Sequence, residues 1–197
     1  MNDFAEMENW RNKCGFKNSE EKLHIYYDPV VFAKTVRLVT SHPVEVGWNL
    51  VVKQYKDGYK VSDIFVYPQK VSEATITVDV PTWALWKVNL SDDAEANLNG
   101  HGHSHVNMGT FASIIDENQQ HDEVLTKNKG FYLFQIWNKR MDVNSFFYDI
   151  DNRIYYENKN IEIIVEDVDE FVEDSYRKVT GKRKKDFYEV GENYGSF

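Results

Sequence analysis

Apolar positions change their spacing several times along the chain, and each change marks an element. Leu23-His24-Ile25-Tyr26-Tyr27 is rich in β-favouring residues and reads as a short strand. Asp28-Pro29 follows, an acceptor side chain and then a ring suited to a first helical turn. Apolar residues at 31, 32, 36, 38 and 39 predict a helix over 30–39, which Ser41-His42-Pro43 ends. Glu45–Gln54 and Tyr59–Tyr67 read as two strands joined by Lys56-Asp57-Gly58, a hairpin signal. The alternation Thr75-Ile76-Thr77-Val78 predicts another strand over Glu73–Val80. Pro81–Ala96 reads as a helix with Trp83, Leu85 and Trp86 as its apolar positions, and Asn97–Gly102 as a loop rich in Asn and Gly. A helix is predicted over Thr110–Val124. Three strands follow, at Phe131–Asn138, Asn144–Ile150 and Ile161–Glu166. A last helix spans Asp169–Val179 and ends at Gly181.

Strands and helices mix here without regular alternation, and internal repeats and low-complexity segments are absent. The pattern predicts an α+β fold in a single domain, residues 21–168. Residues 1–20 read as an N-terminal arm or short helix, and residues 169–197 as a C-terminal helix and basic polar tail. The length of 197 residues suffices for one large core. A hydrophobic fraction of 42% with 15% aromatics marks a globular chain.

Charge narrows the partners. A formal net charge of −9 argues against non-specific nucleic-acid binding. The one basic run, Lys182-Arg183-Lys184-Lys185, reads as a solvated tail. Cys14, alone, fits a reducing compartment. Residues 1–10 are acidic and lack the apolar core of a secretory signal. No stretch approaches the ~20 apolar residues of a membrane helix. The expectation is a cytoplasmic protein, of a bacterium or of a phage-infected host, with no membrane and no nucleic-acid partner.

The candidate chemistry lies between residues 103 and 116. His103 and His105 are two apart, and on extended backbone such residues point to one side. Ser113 and Asp116 are three apart, a spacing that shares one helix face. A strand end with two imidazoles, a turn, and a helix with a hydroxyl and a carboxylate can converge on one point. Given this composition, a chance match to all four positions is roughly one in a thousand.

His103-Ser104-His105, then seven residues, Ser113, two residues and Asp116 is similar to the signature of the JAMM/MPN family of zinc metalloproteases. The family also carries a Glu upstream, best matched by Glu45 in Val44-Glu45-Val46-Gly47, after the first long helix. The resemblance covers about Lys22 to Glu166, and the run 103–109 looks most like phage and bacterial members. Two positions depart from the family pattern. The glycines that usually follow the Glu are here Gly47 and then Trp48, and Gly102 stands before the first His, often aromatic in phage-type members.

The resemblance implies a curved mixed β-sheet flanked by helices, of the cytidine-deaminase-like kind, and one Zn²⁺ held by His103, His105 and Asp116. A fourth position would stay open for a water whose pKa the ion lowers to about 7. It implies Glu45 as general base and then acid, and Ser113 as donor to a tetrahedral oxyanion. The substrate class implied is a peptide or isopeptide bond in a protein, with a ubiquitin-like C-terminus among the candidates. Glu73 is the nearest rival to Glu45, and His101 could substitute as a ligand through His101-Gly102-His103. His24, His42 and His121 read as surface or capping residues.

Other hydrolase classes lack their marks. Gly-x-Ser-x-Gly and His-Glu-x-x-His are absent, and the chain is too short and too irregular for a metal-dependent barrel. The alternative of a different kind is a non-catalytic MPN scaffold or a phage assembly or structural protein.

Overall fold

The computed structural model describes residues 10–71 and 76–178. Its strands are β1 (Lys17–Asn18), β2 (Leu23–Tyr27), β3 (Gly47–Tyr55), β4 (Gly58–Phe65), β5 (Lys70–Val71), β6 (Ile76–Thr77), β7 (Leu98–Ser104), β8 (Phe131–Trp137), β9 (Val143–Asp149), β10 (Ile154–Glu157) and β11 (Ile161–Val165). Its helices are α1 (Pro29–Ser41), α2 (Val80–Lys87), α3 (Asp92–Ala96), α4 (Ile114–Lys127) and α5 (Val168–Lys178). Among the described residues, no helix is long and apolar enough to cross a membrane.

Nine strands form one mixed sheet in the order β1-β10-β9-β8-β7-β3-β4-β2-β11, while β5 and β6 pair apart from it. Strand β3 shifts register at Leu50/Val51 against β7 and at Val51/Val52 against β4. Bulges of this kind bend a strand and increase its twist. The architecture is α+β, as the sequence pattern predicts, with a curled mixed sheet and helices on its faces, as the resemblance implies.

Period-2 alternation sorts side chains to two faces. On β8, Leu133 and Trp137 join a core with Leu23, Ile25, Tyr27, Trp48, Leu50, Val52 and Val61, and α1 closes that face with Val31 and Val39. Burying each of those two valines contributes about 1.5–3 kcal/mol. Asp28 caps α1 by accepting from the amides of Val30 and Val31, at 2.9 and 3.4 Å. Tyr132 and Phe134, on either side of Leu133, face the other way. They form a second cluster with Phe16, Val124, Tyr148, Ile150 and Tyr155, under α4.

Several elements differ from the sequence expectation, each for a physical reason. The loop expected over 97–102 is instead the body of β7, fifth of the nine strands. Its glycines serve close approach rather than a turn. A Cβ on Gly102 would lie 2.5 Å from the Trp48 ring, and one on Gly100 would lie 2.7 Å from the Leu133 carbonyl oxygen. The single helix expected over 81–96 is two, because Ser91 caps a new start by accepting from the amide of Ala94. Of the strand expected over 73–80, only Ile76–Thr77 pairs among the described residues, and Asp79 caps α2, so Val80 is helical. The helix expected from Thr110 begins at Ile114, since Ser113 takes the cap. Strands β1 and β10, of two and four residues, are too short to show a period. Residues 10–13 form a helical turn, and Arg11 and Phe16 are buried against the sheet. The basic run Lys182–Lys185, Gly181 and Glu73 lie outside the described residues.

Candidate metal centre

Strand β7 alternates Gly100-His101-Gly102-His103, so its glycines face the Trp48 side and its histidines face α4. His105 follows the strand end, and its amide donates to the Trp137 carbonyl at 2.7 Å, which holds it in line with β8. The expected convergence occurs: His103 Nε2 and His105 Nε2 lie 3.0 Å apart. Val106, with φ of 50°, then turns the chain sharply away.

The turn fixes the His105 ring. Its Nδ1 donates to the Gly109 carbonyl at 2.9 Å, which leaves Nε2 as the metal-binding nitrogen of the neutral ring. Asn138 holds the same turn by donating to the Met108 carbonyl at 3.0 Å, and the Lys139 amide donates to the Val106 carbonyl at 2.7 Å.

Asp116 arrives from α4. Ser113 Oγ accepts from the Asp116 amide at 3.3 Å and donates to Asp116 Oδ2 at 2.7 Å, while the Ser113 amide donates to Oδ2 at 2.7 Å. This reciprocal cap both starts the helix and aims the carboxylate. Asp116 Oδ1 lies 3.1 Å from His103 Nε2, and Oδ2 lies 3.5 Å from His105 Nε2. The ligand atoms of these three residues all fall within 4.8 Å of one another, and the group can hold a metal ion.

Electrostatics suit that role. Burial pushes the Asp116 carboxyl up, but hydrogen bonds from His103, His105 and Ser113 outweigh it and hold the group well below the usual carboxylate range. Burial opposes charge on His105, yet the bonds to Asp116 and Gly109, with the charges of Asp116 and Glu45, raise its pKa.

Glu45 is buried beside them. Val46 anchors it: its amide donates to Ser104 Oγ at 3.2 Å, and its carbonyl accepts from the Ser104 amide at 3.0 Å. Burial raises the Glu45 pKa, with His105 and His103 pulling it back and Asp116 pushing it up again. Its rival Glu73 lies outside the described residues.

His101 does not join the ligand group. Its Nε2 shares a 2.8 Å hydrogen bond with the Tyr67 hydroxyl, and burial drives its pKa down to about 3, helped by His103. His24 pairs with Asp57 at 2.9 Å, His42 is the C-cap of α1, and His121 meets the edge of Trp10. A cavity of about 10 Å³ lies behind the ligands, lined by His101, His103, Asp116, Gln119, Gln120 and Gln135 among others. Met108, Phe111, Ile114 and Ile115, in the segment that joins His105 to Asp116, are exposed, and the Phe111 ring lies 6.3 Å from that of His105.

Ser104, Tyr67 and the Gly109 carbonyl support the site, and sequence reasoning missed all three. Ser104 sits inside the His-x-His itself, where alternation, which turns it away from the two imidazoles, was a usable signal. Tyr67 and Gly109 act through contacts that no spacing announces. No known protein-family model matches the chain, and no curated protein matches it.

Proposed function

We propose that the chain is a zinc-dependent hydrolase of peptide or isopeptide bonds, of the JAMM/MPN type. The observation that carries this reading is the triangle of His103, His105 and Asp116, with a buried Glu45 beside it. A tetrahedral zinc with bonds of about 2.0–2.1 Å needs ligand–ligand edges of roughly 3.3–3.4 Å. The closest approaches here are 3.0, 3.1 and 3.5 Å. Two imidazoles and one carboxylate are also a donor set that zinc accepts with a fourth position left open.

When bound, zinc supplies Lewis acidity, which acidifies water and polarises a carbonyl. The remaining steps belong to the chain. Glu45, raised by burial, takes the proton of the attacking water and returns it to the leaving nitrogen. The exposed Met108, Phe111 and Ile115, in the segment that joins His105 to Asp116, offer the peptide an apolar surface. Ser113 is suited to donate to the developing oxyanion, but its single hydroxyl proton now goes to Asp116. Once Asp116 is a metal ligand its need for that proton falls, and the hydroxyl can turn toward substrate.

The deciding experiment is metal content of the purified protein, wild type against His103→Ala and Glu45→Gln. About one zinc in wild type, none in His103→Ala, and zinc retained with peptidase activity lost in Glu45→Gln is the expected outcome. Wild type that takes up no zinc on incubation with the ion overturns the hydrolase reading in favour of a non-catalytic scaffold.

A further inference from the structure

Helix α4, which delivers Asp116, is attached to the sheet in an unusual manner. Its buried residues are Glu117, Gln120 and Val124, two of them polar, while Ile114, Ile115 and Leu125 face solvent. Next to Asp116 the helix does not close on the sheet, because the small cavity lies between them. What Glu117 and Gln120 meet is Arg11, which comes from 106 residues before Glu117. Arg11 Nη2 donates to Glu117 Oε2 at 2.8 Å and to Gln120 Oε1 at 3.2 Å. Its Nε donates to the Tyr148 hydroxyl at 2.8 Å, and that hydroxyl donates to Gln120 Oε1 at 2.8 Å. The ion pair is enclosed, with side-chain exposures of 8% and 5%.

We infer that the N-terminal segment is a clamp on the ligand-bearing helix. Arg11, through Glu117 and Gln120, sets where Asp116 stands, so docking of residues 10–18 controls affinity for the metal. Arg11 is a positioning residue and touches no ligand atom of the site. Nη2 bridges two side chains one helical turn apart while Nε is held by Tyr148 on the sheet, so the planar guanidinium sets both the rotation and the depth of that turn, which a point charge does not. Glu117 directly follows Asp116, so a change in that turn moves the carboxylate. The segment docks as one unit, through Arg11, through Phe16 in the cluster of Tyr148 and Tyr155 with Trp10 and Cys14 packed on it, and through β1, which adds two residues beside β10. A partner or protease that removed it would leave Glu117 buried and uncompensated and would loosen the helix.

This inference rests on the metal reading, and linkage separates the two. If docking of the segment favours metal binding, metal must favour docking by the same factor. The test is zinc affinity by competition with a chromophoric chelator, for wild type, Arg11→Met and Arg11→Lys. Hydrogen exchange with and without zinc accompanies it. We expect Arg11→Met to weaken zinc about 10-fold, within the range for outer ligand-supporting groups. Arg11→Lys should recover only part. Zinc should slow exchange at residues 10–18 in wild type and not in Arg11→Met, with β3 and β8 unchanged. Equal zinc affinity in Arg11→Met, or no effect of zinc on residues 10–18, overturns the clamp. Should Arg11→Met fail to fold, Glu117→Gln and the wild-type exchange comparison carry the same test. Should wild type bind no zinc, the hydrolase reading falls separately. Exchange in metal-free protein then decides the clamp: faster exchange confined to 114–127 in Glu117→Gln upholds it, and no change there overturns it.

Discussion

Helices α1 and α4 cover opposite faces of one sheet, and they are attached by different physics. Helix α1 buries Val31, Thr35 and Val39 against a core of Ile25, Trp48, Leu50 and Val61. Helix α4 buries Glu117, Gln120 and Val124, and two of those three reach partners by hydrogen bonds. Hydrophobic burial is non-directional and scales with area, so it fastens α1 without selecting one atomic position. Hydrogen bonds and ion pairs are directional, so the polar side can hold His103, His105 and Asp116 to a few tenths of an ångström. The same strand serves both purposes: β7 turns glycines to the core and histidines to the site.

This contrast can be broken from either side. At neutral pH the largest expected effect is on the core face. Leu50→Ala should destabilise by about 3 kcal/mol in urea unfolding, with zinc affinity of the folded protein little changed. Gly102→Ala presses a methyl against the Trp48 ring and should cost about 2 kcal/mol, and loss below about 0.5 kcal/mol would mean the ring has room to move. On the polar face, acid should unfold the protein through His101. An unfolded His binds a proton near pH 6.5, whereas folded His101 does so only near pH 3. Between those values the unfolded state holds more protons, so stability rises with pH and is lost on acidification, by at most about 1.4 kcal/mol per pH unit. His101→Gln should flatten that part of the stability–pH curve, and an unchanged slope would exclude His101 as its source. The smallest expected effect is at the cap. Ser113→Ala should cost about 1 kcal/mol of stability and some zinc affinity, with Ser113→Thr restoring both.

If the chain is the hydrolase proposed above, Glu45 gives it a pH signature. Its raised pKa places the acid limb of kcat/KM above the ordinary carboxylate value near 4.3, and a limb at or below that value would point to another base.

Much of the site was legible because its spacings are local. Two residues along extended backbone bring the His103 and His105 rings together, and three residues from a cap bring Ser113 to Asp116. The strand β2 and helix α1 were readable for the same reason, one from composition and the other from its cap and apolar stripe. The body of β7 was not, because Asn and Gly carry a turn signal and no local feature reveals that Trp48 lies across the sheet.

By itself, the sequence determined the chemistry available between residues 103 and 116 and the α+β class, since both follow from periodicity, caps and spacing over a few residues. Tertiary structure alone decided that β7 is central, that Val46 and Ser104, 58 residues apart, bring Glu45 to the histidines, and that Arg11 reaches α4. Those outcomes depend on strand pairing and side-chain complementarity between distant segments. Chain geometry sets where neighbours point, but only the folded core selects which distant residues meet.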